Sequence, residues 1–182
     1  MPSTLVLLLA GCGPKTETRT AAATASVLSV QPSADGLVEQ TVDINGDGKA
    51  DVFNYSRERG GSAGLLVRKE TDLNWDGRVD VRTWFNETGQ IEKEEMDGDF
   101  DGRVDWVDHY QNGRRVMSEV DTDWNGTFDL FKYYEGQKVR RKETDTNGDG
   151  KVDFWEYFDD AGKVIRTGKD VDGDGVMDER QE

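Results

Sequence analysis

From about residue 41 onward, apolar residues come in short bursts rather than along a helix-length stripe. Val52-Phe53-Asn54-Tyr55, Val81-Arg82-Thr83-Trp84-Phe85, Trp106-Val107-Asp108-His109-Tyr110, Leu130-Phe131-Lys132-Tyr133-Tyr134 and Phe154-Trp155-Glu156-Tyr157-Phe158 are dense in aromatic and β-branched residues, as strands are. Most are followed by a turn signal: Asn86-Glu87-Thr88-Gly89, Gln111-Asn112-Gly113, Glu135-Gly136 or Asp159-Asp160-Ala161-Gly162. A second short run then returns, as in Gly162-Lys163-Val164-Ile165-Arg166. Strand, glycine turn and strand make a hairpin. A 3.6-residue period fits poorly, because these turns interrupt every candidate helix. A lone hairpin is marginal in water. The pattern therefore predicts an all-β chain of tandem hairpins, joined into an elongated twisted sheet or solenoid-like array that neighbours stabilise.

The segments between hairpins repeat: Asp-x-(Asp/Asn)-x-(Asp/Asn)-Gly-x-x-Asp occurs six times, in loops starting at Asp43, Asp72, Asp97, Asp121, Asp145 and Asp170. Hairpin plus loop gives a repeat of about 24–25 residues, with one longer interval between the first two loops. Oxygen-bearing side chains occupy positions one, three, five and nine. These are Asp43, Asn45, Asp47 and Asp51 in loop 1, and Asp72, Asn74, Asp76 and Asp80 in loop 2. Loop 3 has Asp97, Asp99, Asp101 and Asp105; loop 4 has Asp121, Asp123, Asn125 and Asp129. Loop 5 has Asp145, Asn147, Asp149 and Asp153; loop 6 has Asp170, Asp172, Asp174 and Asp178. Position six is always glycine, which lets the chain reverse with a positive φ. Position eight is always apolar (Ala50, Val79, Val104, Phe128, Val152, Met177) and is expected to anchor each loop on the sheet.

Charge sharpens this picture. Only 34% of the 182 residues are hydrophobic and as many are charged, so a thick core is not available and a metal is a natural substitute. The net charge of −15 excludes nucleic-acid binding through a basic surface, and divalent cations are the fitting partners. Twenty of the acidic residues are aspartates inside the six loops. Such crowding is expected to raise carboxylate pKa values and oppose compaction unless a cation sits among them.

Calcium takes six to eight oxygen ligands in irregular geometry. A nine-residue loop can offer side chains at positions one, three, five and nine. Position seven adds a backbone carbonyl, here from Lys49, Arg78, Arg103, Thr127, Lys151 and Val176, whose side chains are free to vary. The loops resemble the calcium loops of EF-hands, dockerins and thrombospondin type 3 repeats over residues 43–178. That resemblance implies Ca2+ as the bound cofactor. Loop 5 matches the EF-hand most fully, with Glu156 at position twelve, whereas the other loops have Asn54, Thr83, Asp108, Lys132 and Gln181 there. The ninth-position Asp brings them closer to the thrombospondin or dockerin type, and weak sites are expected, roughly 10⁻⁴ to 10⁻³ M. A helical EF-hand array is the competing architecture. Glu70, Glu95, Glu119 and Glu143 each stand two residues before a loop, where pairing with strand Lys and Arg is the expected role.

Towards the N-terminus, Leu5-Val6-Leu7-Leu8-Leu9-Ala10 is too short to span a bilayer. With Leu9-Ala10-Gly11-Cys12 it resembles the lipobox of bacterial lipoproteins, although no Lys or Arg precedes the run. The resemblance implies a signal peptide over residues 1–11, lipidation of Cys12, and a place in the bacterial cell envelope, anchored to the outer membrane. Cys12 is the only cysteine, so neither a disulfide nor a cysteine zinc site is possible within the chain. Residues 12–40, rich in Ala, Thr and Ser, read as a flexible tether. Residues 41–182 then form the six-loop domain.

Catalysis finds little footing. His109, the single histidine, falls in the column held by Tyr55, Trp84, Tyr133 and Tyr157 and reads as a packing residue. Every carboxylate cluster belongs to the repeat. The sequence therefore points to a non-enzymatic, calcium-binding, membrane-anchored repeat protein with a structural, adhesive or interaction role towards an envelope protein or glycan. The competing reading is a carbohydrate-active enzyme or glycan-binding module that uses exposed aromatics and acidic residues.

Overall fold

A computed structural model describes residues 25–59 and 62–181; the signal-peptide and Cys12 assignments lie outside them. Thirteen strands form one open antiparallel sheet in strict chain order. They are β1 (Ser26–Pro32), β2 (Val38–Asp43), β3 (Val52–Arg59), β4 (Ser62–Thr71), β5 (Val81–Phe85), β6 (Ile91–Met96), β7 (Trp106–Gln111), β8 (Arg114–Val120), β9 (Leu130–Glu135), β10 (Lys138–Thr144), β11 (Phe154–Phe158), β12 (Val164–Lys169) and β13 (Glu179–Gln181). The tandem-hairpin reading is thus correct, and no helix is present among the described residues. The sheet begins earlier than expected, because β1 and the start of β2 occupy residues assigned to the tether.

All six acidic loops lie at one end of the strands, between β2 and β3, β4 and β5, β6 and β7, β8 and β9, β10 and β11, and β12 and β13. The tight turns lie at the other end. Asn112 and Gly113 both have positive φ, 51° and 71°, as a two-residue hairpin turn with the strands' twist demands. Past these turns the register slips at the same place in successive hairpins, for example between Trp84 and Phe85 and between His109 and Tyr110. Such bulges increase local twist, and their recurrence twists the array regularly.

The sheet is a single layer, and among the described residues few apolar side chains are buried: Val52, Tyr55, Val107, Val120 and Trp155. Cross-strand contacts on the two faces take over the work of a core. On one face runs the register row Tyr55, Arg68, Trp84, Lys93, His109, Met117, Tyr133, Arg141, Tyr157, Arg166. Rings and cations alternate along it, with Arg68, Lys93, Arg141 and Arg166 lying 3.9, 4.9, 3.9 and 3.7 Å from the ring centres of Tyr55, Trp84, Tyr133 and Tyr157. Beside it stand the four pre-loop glutamates. Glu70 forms an ion pair with Arg68 at 3.1 Å, Glu95 with Lys93 at 2.6 Å, and Glu143 with Arg141 at 3.2 Å. Glu119 meets His109 Nε2 at 2.6 Å. Those glutamates are strand partners, and His109 sits in the aromatic column, as the spacing implied.

The opposite face carries a polar row. Asn54 donates to Gln40 at 3.2 Å and Thr83 to Glu94 at 3.0 Å. Asp108, almost fully buried, accepts from Ser118, from Trp106 Nε1 at 2.9 Å and from Arg115 at 3.1 Å. These are the twelfth-position residues of the repeat, and the sheet uses them as cross-strand partners.

Candidate metal-binding loops

Each loop closes on its own aspartates. The position-one carboxylate accepts the N–H groups of positions four and six: Gly46 and Gly48 reach Asp43 at 2.6 and 2.8 Å, Trp75 and Gly77 reach Asp72 at 2.6 and 2.8 Å. Phe100 and Gly102 do the same to Asp97 at 2.7 Å each, and Gly148 and Gly150 to Asp145 at 2.8 and 2.7 Å. Gly173 and Gly175 bind Asp170 at 2.8 and 2.6 Å; in loop 4 the donors are Asn125 and Gly126, at 3.2 and 2.6 Å from Asp121.

The other oxygen positions follow suit. Position three accepts from the N–H of position five, as in Asp101 to Asp99 at 3.0 Å. Position five accepts from position seven, as in Arg78 to Asp76 and Lys49 to Asp47, both 2.8 Å. Position nine reaches back to position two: Asp51, Asp80, Asp105, Asp129 and Asp178 accept from Ile44, Leu73, Gly98, Thr122 and Val171 at 2.8, 2.6, 2.6, 2.9 and 2.9 Å. In loop 5, Thr146 gives Asp153 both its N–H, at 3.1 Å, and its hydroxyl, at 2.8 Å.

This geometry needs two positive-φ residues per loop. Position six was expected, and its glycines lie between 84° and 95°. Position four was missed. Loops 1, 5 and 6 have Gly46, Gly148 and Gly173 there, but loops 2, 3 and 4 hold Trp75, Phe100 and Trp124 at 64°, 67° and 63°. Glycine in half of the repeats was the readable signal.

Successive loops are locked to one another. The N–H of each position-one Asp donates to the carbonyl of the preceding position-nine Asp: Asp72 to Asp51, Asp97 to Asp80, Asp121 to Asp105 and Asp145 to Asp129 at 2.8 Å, and Asp170 to Asp153 at 3.0 Å. Position seven adds side-chain straps, Arg103 to the Asn125 carbonyl at 3.3 Å and Lys151 to that of Gly173 at 2.7 Å. At position eight, Met177 packs directly over Gly168 of β12, so this anchor works as expected.

The position-one carboxylates Asp43, Asp51's neighbour across the first loop, and Asp121 are both almost wholly covered, at 3% and 2% exposure. The Gly46 and Gly48 N–H groups hold Asp43 below the ordinary carboxylate range. Burial pushes Asp121 and Asp145 up, but the N–H groups, led by Gly126 and Gly150, outweigh it and their pKa values fall. Asp170 is lowered chiefly by Gly175. At these four positions the expectation of raised pKa values is therefore wrong. Backbone donors, not distance from other carboxylates, dominate.

Three loops bring carboxylates close enough to share an ion. In Asp97, Asp99 and Asp101, in Asp121, Asp123 and Asp129, and in Asp170, Asp172 and Asp178, one oxygen from each residue lies within 4.8 Å of the others. Two oxygens bound to one calcium at about 2.4 Å are separated by at most twice that distance. The donor sets of loops 3, 4 and 6 could therefore hold a metal ion. Glu156 belongs to none of these groups and stands in β11 opposite Lys142 and Thr167. Among the described residues, Asp101 is the only loop aspartate in an ion pair, with Arg103.

No family model matches the chain, and no curated protein does. Among solved structures, a complex of accessory secretory proteins 1, 2 and 3 from Streptococcus pneumoniae is 14% identical, covering 53% of this chain and 18% of that one, with a TM-score of 0.38. TarM is 17% identical, covering 69% and 19%, with a TM-score of 0.24. The chain spans about a fifth of the length of each, and likeness at this level carries no functional argument.

Proposed function

We propose that the six loops bind calcium and that the ions stiffen a surface-tethered repeat protein whose role is structural or adhesive rather than catalytic. The observation that carries this reading is a set of twenty loop aspartates that, among the described residues, have a single cationic partner. Their backbone donors favour the ionised form of at least four of them, leaving a dense negative charge that the described lysines and arginines do not neutralise. Bound calcium would supply that positive charge and occupy the lone pairs the N–H groups leave free. In loops 1 to 4, positions one and nine are already buried and oriented, so little ordering is left to be done there on binding.

Six dications would offset most of the −15 net charge. A thin, single-layer sheet gains most from such help at its loop end, where backbone bonds link each loop to the next. A non-catalytic role is favoured because the carboxylates recur in every repeat. A concavity of about 700 Å³ lies among the turns and is lined by Tyr110, Arg114, Arg115, Tyr134 and neighbours without a carboxylate. Lipidation at Cys12 and an outer-membrane location rest on Leu9-Ala10-Gly11-Cys12.

Isothermal titration with calcium, beside magnesium, tests the metal; absence of heat at millimolar calcium would reject it. Cell fractionation of a Cys12→Ala variant tests the anchor, which predicts loss from the membrane fraction.

A further inference from the structure

The loop end of the sheet is not uniformly acidic. Trp75, Phe100 and Trp124 stand at position four of three consecutive loops and are 55%, 41% and 49% exposed. Each holds a left-handed backbone conformation that an L side chain disfavours, at a position where the other three loops use glycine. Folding alone would favour glycine at all six, and exposure denies these rings most of the gain from burial. Large rings kept in strained, solvent-facing positions mark contact surfaces rather than packing.

We propose that these three aromatics form a platform for a neutral, linear polysaccharide, laid across loops 2, 3 and 4. The inference rests on the reading that calcium holds the loops in order. Loops follow one another every second strand, so the position-four backbone that carries the rings repeats at about 9.6 Å, twice the spacing of neighbouring strands. A β-linked glycan whose alternate residues are flipped presents the same sugar face at every second residue, with a closely similar repeat. The same loops carry the exposed position-seven side chains of Arg78, Arg103 and Thr127, which the metal does not use and which suit sugar hydroxyls. With one calcium in each, loops 2, 3 and 4 still carry net negative charge, ten aspartates against three dications, Arg78 and Arg103, so a polyphosphate, an acidic polysaccharide or an anionic lipid surface would meet like charge. A neutral membrane would require those carboxylates to enter the headgroup layer, so the glycan is the better fit. Trp124 also passes over Gly98 of the preceding loop, where an added Cβ would come within 3.3 Å of its ring. The missing side chain there leaves room for the ring.

The test is retention of the full chain on insoluble cellulose, chitin and xylan in millimolar calcium, with phosphatidylcholine vesicles in parallel. The comparison is a variant carrying Trp75→Gly, Phe100→Gly and Trp124→Gly, the residue loops 1, 5 and 6 already use. The wild type should be retained on at least one glycan, and the triple variant should lose retention by about tenfold or more, as expected for removing several contact aromatics. Its melting temperature should be unchanged or higher and its calcium heats unchanged. Should the triple variant melt lower, Trp75→Gly alone carries the comparison, and a clear loss of retention is still required. Wild-type retention on no glycan, retention on vesicles only, or undiminished retention of the variants overturns the proposal. A missing calcium heat instead counts against the metal reading, so the two failures are separable.

Discussion

Replacing Asp121 by alanine removes a carboxylate that is 2% exposed and that closes its own loop. Two N–H groups lose their acceptor, Gly126 at 2.6 Å and Asn125 at 3.2 Å. Hydrogen bonds to a charged group contribute about 1.5–3 kcal/mol each. The Asn125 bond is long and its N–H regains water when the loop opens, so the pair amounts to about 2–4 kcal/mol in chelator. In calcium at ten times the dissociation constant, losing one site removes roughly a further 1.4 kcal/mol. Asp121→Asn keeps one acceptor oxygen and should recover part of the chelator-state loss while restoring little of the calcium-dependent part. Denaturant unfolding of the three proteins, with and without calcium, reads both quantities. An Asp121→Ala deficit of the same size in chelator and in calcium would show that loop 4 holds no ion, and the coordination argument would fail there.

Three further outcomes are expected. Because the folded-state pKa values of Asp43, Asp121, Asp145 and Asp170 are lowered, their contribution is present above the unfolded carboxylate value near 3.9. It is lost as pH falls through the lower folded values, so calcium-free protein followed by circular dichroism should unfold below about pH 4; stability that rises on acidification would contradict this. Gly77→Ala, at φ 92° with open space around the added Cβ, should cost about 1–2 kcal/mol from backbone strain alone, and an unchanged denaturation midpoint would count against it. Asp108→Ala removes the acceptor of the Trp106 N–H and of the buried Ser118 hydroxyl, while the half-exposed Arg115 regains water; it should cost about 1–3 kcal/mol without altering calcium heats, and altered heats would make Asp108 part of a metal site.

The hairpins could be read directly, because aromatic bursts, glycine turns and a fixed repeat leave one economical arrangement. His109's place in the aromatic column followed from the same phase. Three features were harder. The sheet's first strand, Ser26–Pro32, is a short run of Ser, Val, Leu and Gln in a stretch dominated by Ala and Thr, and its strand state depends on pairing with β2. Glu156 at position twelve looked like a ligand by resemblance to the EF-hand; at that position Asn54, Thr83 and Asp108 serve the sheet across strands, which no spacing rule reveals. The left-handed position four was masked by Trp75, Phe100 and Trp124, residues that local propensity would never place there. Raised pKa values were expected from charge crowding alone; the inward-turned N–H groups of Gly46, Gly48, Gly126 and Gly150 that reverse the sign exist only in the folded loop.

The decisive measurement is the unfolding free energy of the chain in millimolar calcium against exhaustive chelation. Six weak sites at ten times their dissociation constant would together stabilise the array by about 8 kcal/mol, with magnesium giving far less. A denaturation curve that does not move when every divalent ion is stripped would mean that backbone N–H groups alone hold the crowded carboxylates, and that the loops are structural turns without a metal.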